Sequence, residues 1–268
     1  MARERHLTVN GRTTRVLEGG AGRALVLLHA FPLNAGMWEE QIDRAPDGWW
    51  FIAPDLPGFG PDAAPVETSQ TMDDYASDVL ALLDALDVER AVIGGLSMGG
   101  YITFAMFRRA PERFAGIVLA DTKAPADTEE GRAGRRAMAE KLRASGVAAV
   151  VDALLPRLLG ETSHRERPDI VGRARELMSG NSSHAIDAAL HALMARPDST
   201  PDLARVACPA LVVVGQEDSL TPPAEAELLA SSIRGAELVV LPRAGHLSNL
   251  EVPDAFSAAL SAFASRAF

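Results

Sequence analysis

Gly95-Leu96-Ser97-Met98-Gly99 places one serine between two glycines, each two residues away, in the pattern G-x-S-x-G. A serine hydroxyl is a weak nucleophile unless a base removes its proton as it attacks. The setting of the motif says more than the five-residue match. It follows the apolar run Ala91–Gly94 and opens a helical stretch, Met98–Arg109, that stops before Pro111. A strand turning sharply into a helix would lift the Ser97 hydroxyl clear of a sheet. Side chains at Gly95 or Gly99 would collide with strand and helix across such a turn. The Met98 N–H would then lie at a helix N-terminus, where donors are unpaired and negative charge is favoured.

A base must stand near that serine, and of six histidines His246 is best placed. It lies in Arg243-Ala244-Gly245-His246, directly after the strand-like Glu237–Leu241, in a loop of the kind that builds sites at a sheet's carboxyl edge. His6 falls in an N-terminal hairpin, and His29 is expected to hold loop backbone. His164, His184 and His191 fall in a long helical stretch. His184 and His191 are seven residues apart, not the four that place two metal ligands on one helix face, so no metal site is expected.

The base needs a carboxylate to orient it and to stabilise the imidazolium. Asp218, in Gly215-Gln216-Glu217-Asp218, follows the apolar run Ala210–Val214 and precedes His246 by 246 − 218 = 28 residues, room for a helix and a strand. Asp121, ending the run Gly116–Ala120 on the same edge, is its rival for this role, and Glu217 is a second. An oxyanion formed at Ser97 needs another N–H donor besides Met98. His29-Ala30-Phe31-Pro32 follows the run Ala24–Leu28, so its loop can bring the Phe31 N–H towards Ser97. Asp55, in the Gly/Pro-rich 54–61, reads as a loop organiser.

The elements that must position these groups alternate between strand and helix. His6–Val9 and Arg12–Glu18 flank Asn10-Gly11, the dipeptide a type I′ hairpin turn prefers. Ala24–His29, Trp49–Ala53, Ala91–Gly94, Gly116–Ala120, Ala210–Val214 and Glu237–Leu241 are short, largely apolar runs of the kind buried inside parallel sheets. Residues 73–87 carry a helical stripe, Tyr75, Val79, Leu82, Leu83 and Leu86, and Asp254–Ala264 reads as a closing helix. The expected fold is α/β: a mostly parallel eight-stranded sheet with an antiparallel N-terminal edge hairpin and helices on both faces. Residues 122–200 break the alternation with helical patterns at Gly131–Ser145, Val147–Leu159 and His184–Met194. They are expected to form a helical lid, with 1–121 and 201–268 as the core.

Composition narrows the partners. A net charge of −10 argues against nucleic acid or an anionic membrane. No apolar run approaches the length of a membrane span, and the first residues lack a signal-peptide pattern. The single cysteine, Cys208, precludes an intrachain disulfide and reads as a buried strand-end residue, so the expected compartment is the cytoplasm.

HAFP at 29–32, DLPGFG at 55–60, GLSMGG at 95–100, GQED at 215–218 and AGH at 244–246 occur in this order along nearly the whole chain. With these landmarks the chain resembles the α/β-hydrolase superfamily. Within it, the chain looks like the branch holding 3-oxoadipate enol-lactonases, small-acyl carboxylesterases and cofactor-free haloperoxidases with perhydrolase activity. The resemblance implies a triad of Ser97, Asp218 and His246, with Phe31 and Met98 as oxyanion donors and no cofactor. Many relatives have Gly where this chain has Ala30, which narrows the expected oxyanion loop. Epoxide hydrolases and haloalkane dehalogenases carry an aspartate at the nucleophile position, and Ser97 argues against those activities.

The implied activity is hydrolysis of small esters or lactones through an acyl-enzyme on Ser97. A narrow-substrate enol-lactonase, a C–C bond hydrolase, and a ligand receptor on a hydrolase scaffold stand as alternatives. Trp38, Phe59 and Tyr101 are candidate lining for an apolar acyl pocket. Arg132, Arg135, Arg136, Lys141 and Arg143 form a basic stretch that either meets an anionic substrate or is simply solvated.

Overall fold

Asn10 and Gly11 both take positive φ, 49° and 75°, and close the N-terminal hairpin between β1 (Arg3–Val9) and β2 (Arg12–Gly20). A computed structural model of the chain describes residues 1–61, 63, 66 and 69–267. In it the hairpin joins β3 (Arg23–Leu28), β4 (Trp49–Pro54), β5 (Ala91–Leu96), β6 (Phe114–Ala120), β7 (Ala210–Gly215) and β8 (Glu237–Leu241) in one sheet of order β1-β2-β4-β3-β5-β6-β7-β8. The β1–β2 and β2–β4 pairs are antiparallel, and every later pair is parallel.

Strand β3 shows why the central runs are apolar throughout. Leu25 and Leu27 face one core and Val26 and Leu28 the other, because successive side chains leave opposite faces. The face of Val26 and Leu28 is covered by α2 (Met72–Ala85), α3 (Met98–Arg109) and α9 (Pro223–Ser232). On the face of Leu25 and Leu27 lie α1 (Glu39–Asp43) and α11 (Pro253–Ala264), which sends Phe256, Leu260 and Phe263 inward. Helix α2 starts where Thr71 and Asp74 bond each other's backbone N–H groups, a capping box that satisfies two otherwise orphaned donors. At the far edge β8 leaves Leu238 and Val240 exposed.

Between β6 and β7 the chain runs through α4 (Glu129–Leu158), α5 (Glu161–Glu166), α6 (Pro168–Ser179), α7 (Ser183–Ala195) and α8 (Thr200–Leu203). Helix α4 is interrupted at Gly146, whose φ of 73° and ψ of −174° lie outside helical space. The short α10 (Ser248–Glu251) leads into α11. No helix among the described residues is long and apolar enough to cross a membrane.

Candidate active site

Ser97 is the single residue between β5 and α3, with φ 55° and ψ −109°, a conformation L residues rarely adopt. Its N–H donates to the Ala120 carbonyl at 2.9 Å, and the Thr122 hydroxyl donates to its carbonyl at 2.9 Å. These bonds fix the strained turn to the end of β6. Close approach explains the flanking glycines: a Cβ on Gly95 would stand 2.4 Å from the Gly99 carbonyl carbon, and one on Gly99 would stand 2.2 Å from Leu28 O. Met98 opens α3, so its N–H has no acceptor one turn back.

His246 and Asp218 meet at the carboxyl edge of β7 and β8. The Nδ1 of His246 lies 2.8 Å from Asp218 Oδ2, and both side chains are buried. Thr221 Oγ1 donates to the same oxygen at 2.6 Å, while the N–H groups of Leu220 and Thr221 donate to Oδ1 at 2.8 and 3.0 Å. Burial pushes the Asp218 carboxyl up, but the His246 charge and these hydrogen bonds outweigh it and hold the group below its usual range. Asp121 has no such partner. It is fully buried, accepts from Gly215 N at 2.8 Å and from the Ser248 hydroxyl, and does not bond His246. Burial, reinforced by the charge of Asp218, drives its carboxyl well above the usual range.

The loop after β3 is held by His29. Leu56 N donates to its Nε2 at 3.1 Å, so the ring proton sits on Nδ1 and is donated to Ala30 O at 3.0 Å. Burial lowers its pKa to about 4, so the ring stays neutral near pH 7. Asp55 braces the same region, accepting from Ala35 N at 2.7 Å and Arg15 Nη1 at 3.0 Å.

Ser97 and His246 open onto one cavity of about 510 Å³, walled from the core by Phe31, Tyr101, Leu220 and Thr221. Its other wall comes from the segment between β6 and β7, with Met138, Leu154, Leu158, Leu190 and Leu193 as the apolar surface. Asp127 also lines it and is bonded by Arg135 and by Arg196, whose Nη2 is 2.8 Å away. Burial raises the Asp127 carboxyl, yet the two guanidinium groups hold it below its usual range. Arg196 stacks over Tyr101 at 4.1 Å, fixing that ring on the cavity wall. Lys123 and Arg157 line the same space.

The model of the α/β hydrolase fold family matches residues 23–253. The chain belongs to the α/β hydrolase fold family. This hydrolase is 30% identical over 243 residues to 3-oxoadipate enol-lactonase 2 of Acinetobacter baylyi, covering 91% of this chain and 89% of the relative. Among solved structures it is similar to a thermophilic esterase from Thermogutta terrifontis, studied with malate bound. The TM-score is 0.93 at 34% identity, over 99% of each chain. It is also similar to the enol-lactonase of Burkholderia xenovorans LB400, with a TM-score of 0.89 and 29% identity over 98% of this chain and 100% of that one.

Not every residue singled out in the sequence reaches the cavity of this hydrolase. Tyr101 lines it. Trp38 does not: it is wholly buried beneath the sheet, with its ring 5.7 Å from that of Phe256. Phe59 is likewise elsewhere, because its loop folds back and sets the ring edge-on to His29 at 5.0 Å. Of the basic stretch only Arg135 lines the cavity. Arg132 and Arg136 bond Glu129, and Arg143 lies 3.7 Å from Asp187. Glu217 turns away from His246 and accepts from Thr162 N and Oγ1 at 2.8 and 2.6 Å.

Sequence reasoning overlooked Thr221, Asp127 and Lys123. Thr221 had a signal, since a threonine three residues after an aspartate can close a turn on its carboxylate. Lys123 and Asp127 had none beyond lying just past β6. Among the described residues no cluster of three or more His, Cys, Asp or Glu side chains is disposed to hold a metal.

Proposed function

We propose that this hydrolase cleaves carboxylic esters or lactones of small substrates through an acyl-enzyme on Ser97. One observation carries the reading: Ser97, on its strained turn, shares a cavity with His246, whose Nδ1 is engaged by Asp218. With Nδ1–H donated to Asp218, the Nε2 of His246 is left as the base. Ser97 Oγ attacks the carbonyl carbon as Nε2 takes its proton. The resulting oxyanion accepts from the N–H groups of Phe31 and Met98. His246 then protonates the departing alkoxide, and a water deprotonated by the same ring cleaves the acyl-enzyme to acid and free Ser97. In this reading residues 122–200 act as a lid, and their apolar side chains hold the acyl group.

A second reading, a lactone or ester that carries a carboxylate, is favoured by Lys123 and Arg157. Both line the cavity, and among the described residues neither has an ion-pair partner, whereas Asp127 is already matched by two arginines. The enol-lactonase relatives are consistent with it.

The test is hydrolysis of p-nitrophenyl acetate, butyrate and octanoate by wild type and Ser97→Ala side by side. Turnover by the wild type that is lost in the variant is the expected result. Wild-type turnover by Ser97→Ala would refute the mechanism.

A further inference from the structure

Glu251 is a buried carboxylate, 2% exposed, that the hydrolytic steps above do not use. One of its oxygens, Oε1, accepts at 2.8 Å from the N–H of Gly245, the residue directly before His246. The other, Oε2, accepts from Gly160 N at 2.8 Å and from Ser163 Oγ at 2.6 Å, both in the segment between β6 and β7. One carboxylate therefore ties two stretches of chain that are far apart in sequence. Its acceptors go to backbone and hydroxyl donors, and the nearest guanidinium bond, from Arg167 Nη1, goes to the Glu251 carbonyl at 3.4 Å.

The two stretches touch with no room for slack. A Cβ on Gly245 would stand 2.2 Å from Gly160 N, and Leu247 N donates to Leu158 O at 3.1 Å on the other side of His246. His246 is thus flanked by two bonds to the helical segment, one of them through the Glu251 side chain. Without that side chain the N–H groups of Gly245 and Gly160 would face each other in the interior with no acceptor. An unpaired buried N–H is costly, and relief comes from a shift of the backbone or entry of water. Either change moves the residue that has to reach Ser97.

We infer that Glu251 is a positioning residue for His246, setting the ring's place through Gly245 while docking the helical segment through Gly160 and Ser163. This rests on the reading of His246 as the base. The Glu217 side chain ties Thr162 in a similar way, but Glu217 meets the histidine loop through its backbone N–H, which donates to Ala244 O at 2.7 Å, and not through its carboxylate.

Two readings test this in Glu251→Ala and Glu251→Gln, with Arg113→Ala as a control that loses a surface clamp on Glu89, Val88 and Asp84 far from the cavity. The first is steady-state kinetics on p-nitrophenyl butyrate. Glu251→Ala should lose about 10- to 100-fold in kcat, the scale set by a small misplacement of a catalytic group, with KM within about twofold. The second is the low-field proton resonance of His246 Nδ1–H, assigned by its disappearance in Asp218→Ala. It should shift or broaden in Glu251→Ala and stay in place in Arg113→Ala.

Glu251→Gln retains one oxygen for two sets of donors, so it should show a smaller kcat loss and a displaced resonance. If the alanine variant does not fold, the glutamine variant decides by the same two readings. Wild-type kcat and resonance in a folded Glu251 variant would overturn the inference. Failure of the hydrolytic reading shows up separately, as activity in Ser97→Ala, while the resonance needs no turnover.

Discussion

Asp218 Oδ2 stands 2.8 Å from His246 Nδ1, while Asp121, the other buried carboxylate at this edge of the sheet, spends its oxygens on Gly215 N and Ser248 Oγ. The two carboxyls are displaced in opposite directions. Asp218 is held low chiefly because the His246 charge and its hydrogen bonds overcome burial, and Asp121 is driven high by burial and by the charge of Asp218.

Opposite shifts demand opposite pH dependence of stability. Asp218 contributes stability above its unfolded pKa that is lost as pH falls through its lower folded value. Asp121 contributes stability below its unfolded pKa that is lost as pH rises through its higher folded value. Relative to wild type, Asp121→Asn should therefore gain in Tm as pH rises from about 4 to about 9, and Asp218→Asn should lose less on acidification. Calorimetry across that range reads both, and an Asp121→Asn curve parallel to wild type contradicts the assignment. In activity the order reverses. Asp218→Asn should cost kcat about 10³- to 10⁴-fold, because an asparagine selects the wrong imidazole tautomer.

His29 offers a second pH signature. Its pKa falls from 6.5 to about 4 on burial, so the folded chain binds the neutral ring. The stability this provides is complete above the unfolded value and is lost as pH falls from 6.5 towards about 4, a change of about 3 kcal/mol. Replacing His29 by Gln removes that acid-side loss. Urea unfolding at pH 7 and pH 5 measures it, and an unchanged difference between the two pH values would show that His29 is not the group responsible.

Lys123 tests what enters the cavity. If it meets a substrate carboxylate, Lys123→Ala should raise KM for a carboxylate-bearing ester such as a succinate monoester about tenfold, the scale of one charge-assisted hydrogen bond. KM for p-nitrophenyl acetate should hardly move. Equal effects on both esters would point to a general disturbance of the cavity.

The strands and their faces were legible because their pattern is local. A strand buried on both sides needs an unbroken apolar run, and Ala24–Leu28 or Ala210–Val214 contains nothing else. The break in α4 was legible for a related reason: helical patterns at Gly131–Ser145 and Val147–Leu159 leave Gly146 between them, and Gly146 is the residue with φ 73°. Helix α6 was missed although Ile170, Ala174, Leu177 and Met178 recur at helical spacing, because the stripe is only twelve residues long, opens on Pro168 and carries Gly172. At the cavity, Trp38 and Phe59 illustrate the limit. An aromatic side chain near the site in sequence packs wherever its partners stand, here Phe256 and His29, which are 218 and 30 residues away. Ser97, His246 and Asp218 escape that limit because a strand end determines where each backbone emerges, whatever packs around it.

Gly146 divides more than a helix. Gly131, Gly134, Arg135 and Met138 precede it on the cavity wall, and Leu154, Arg157 and Leu158 follow it, while Ser97, Asp218 and His246 all sit in the turns and loops that leave β5, β7 and β8, outside this stretch. In the proposed mechanism selectivity and reaction chemistry are thereby written in separate lengths of chain, with a natural recombination joint inside the first. Residues 129–145 form one cassette for exchange with a relative, which has to keep buried Ala139 and Leu142 and the Arg135 bond to Asp127. Residues 147–163 form a different cassette, whose far end has to keep the donors that Glu217 and Glu251 receive.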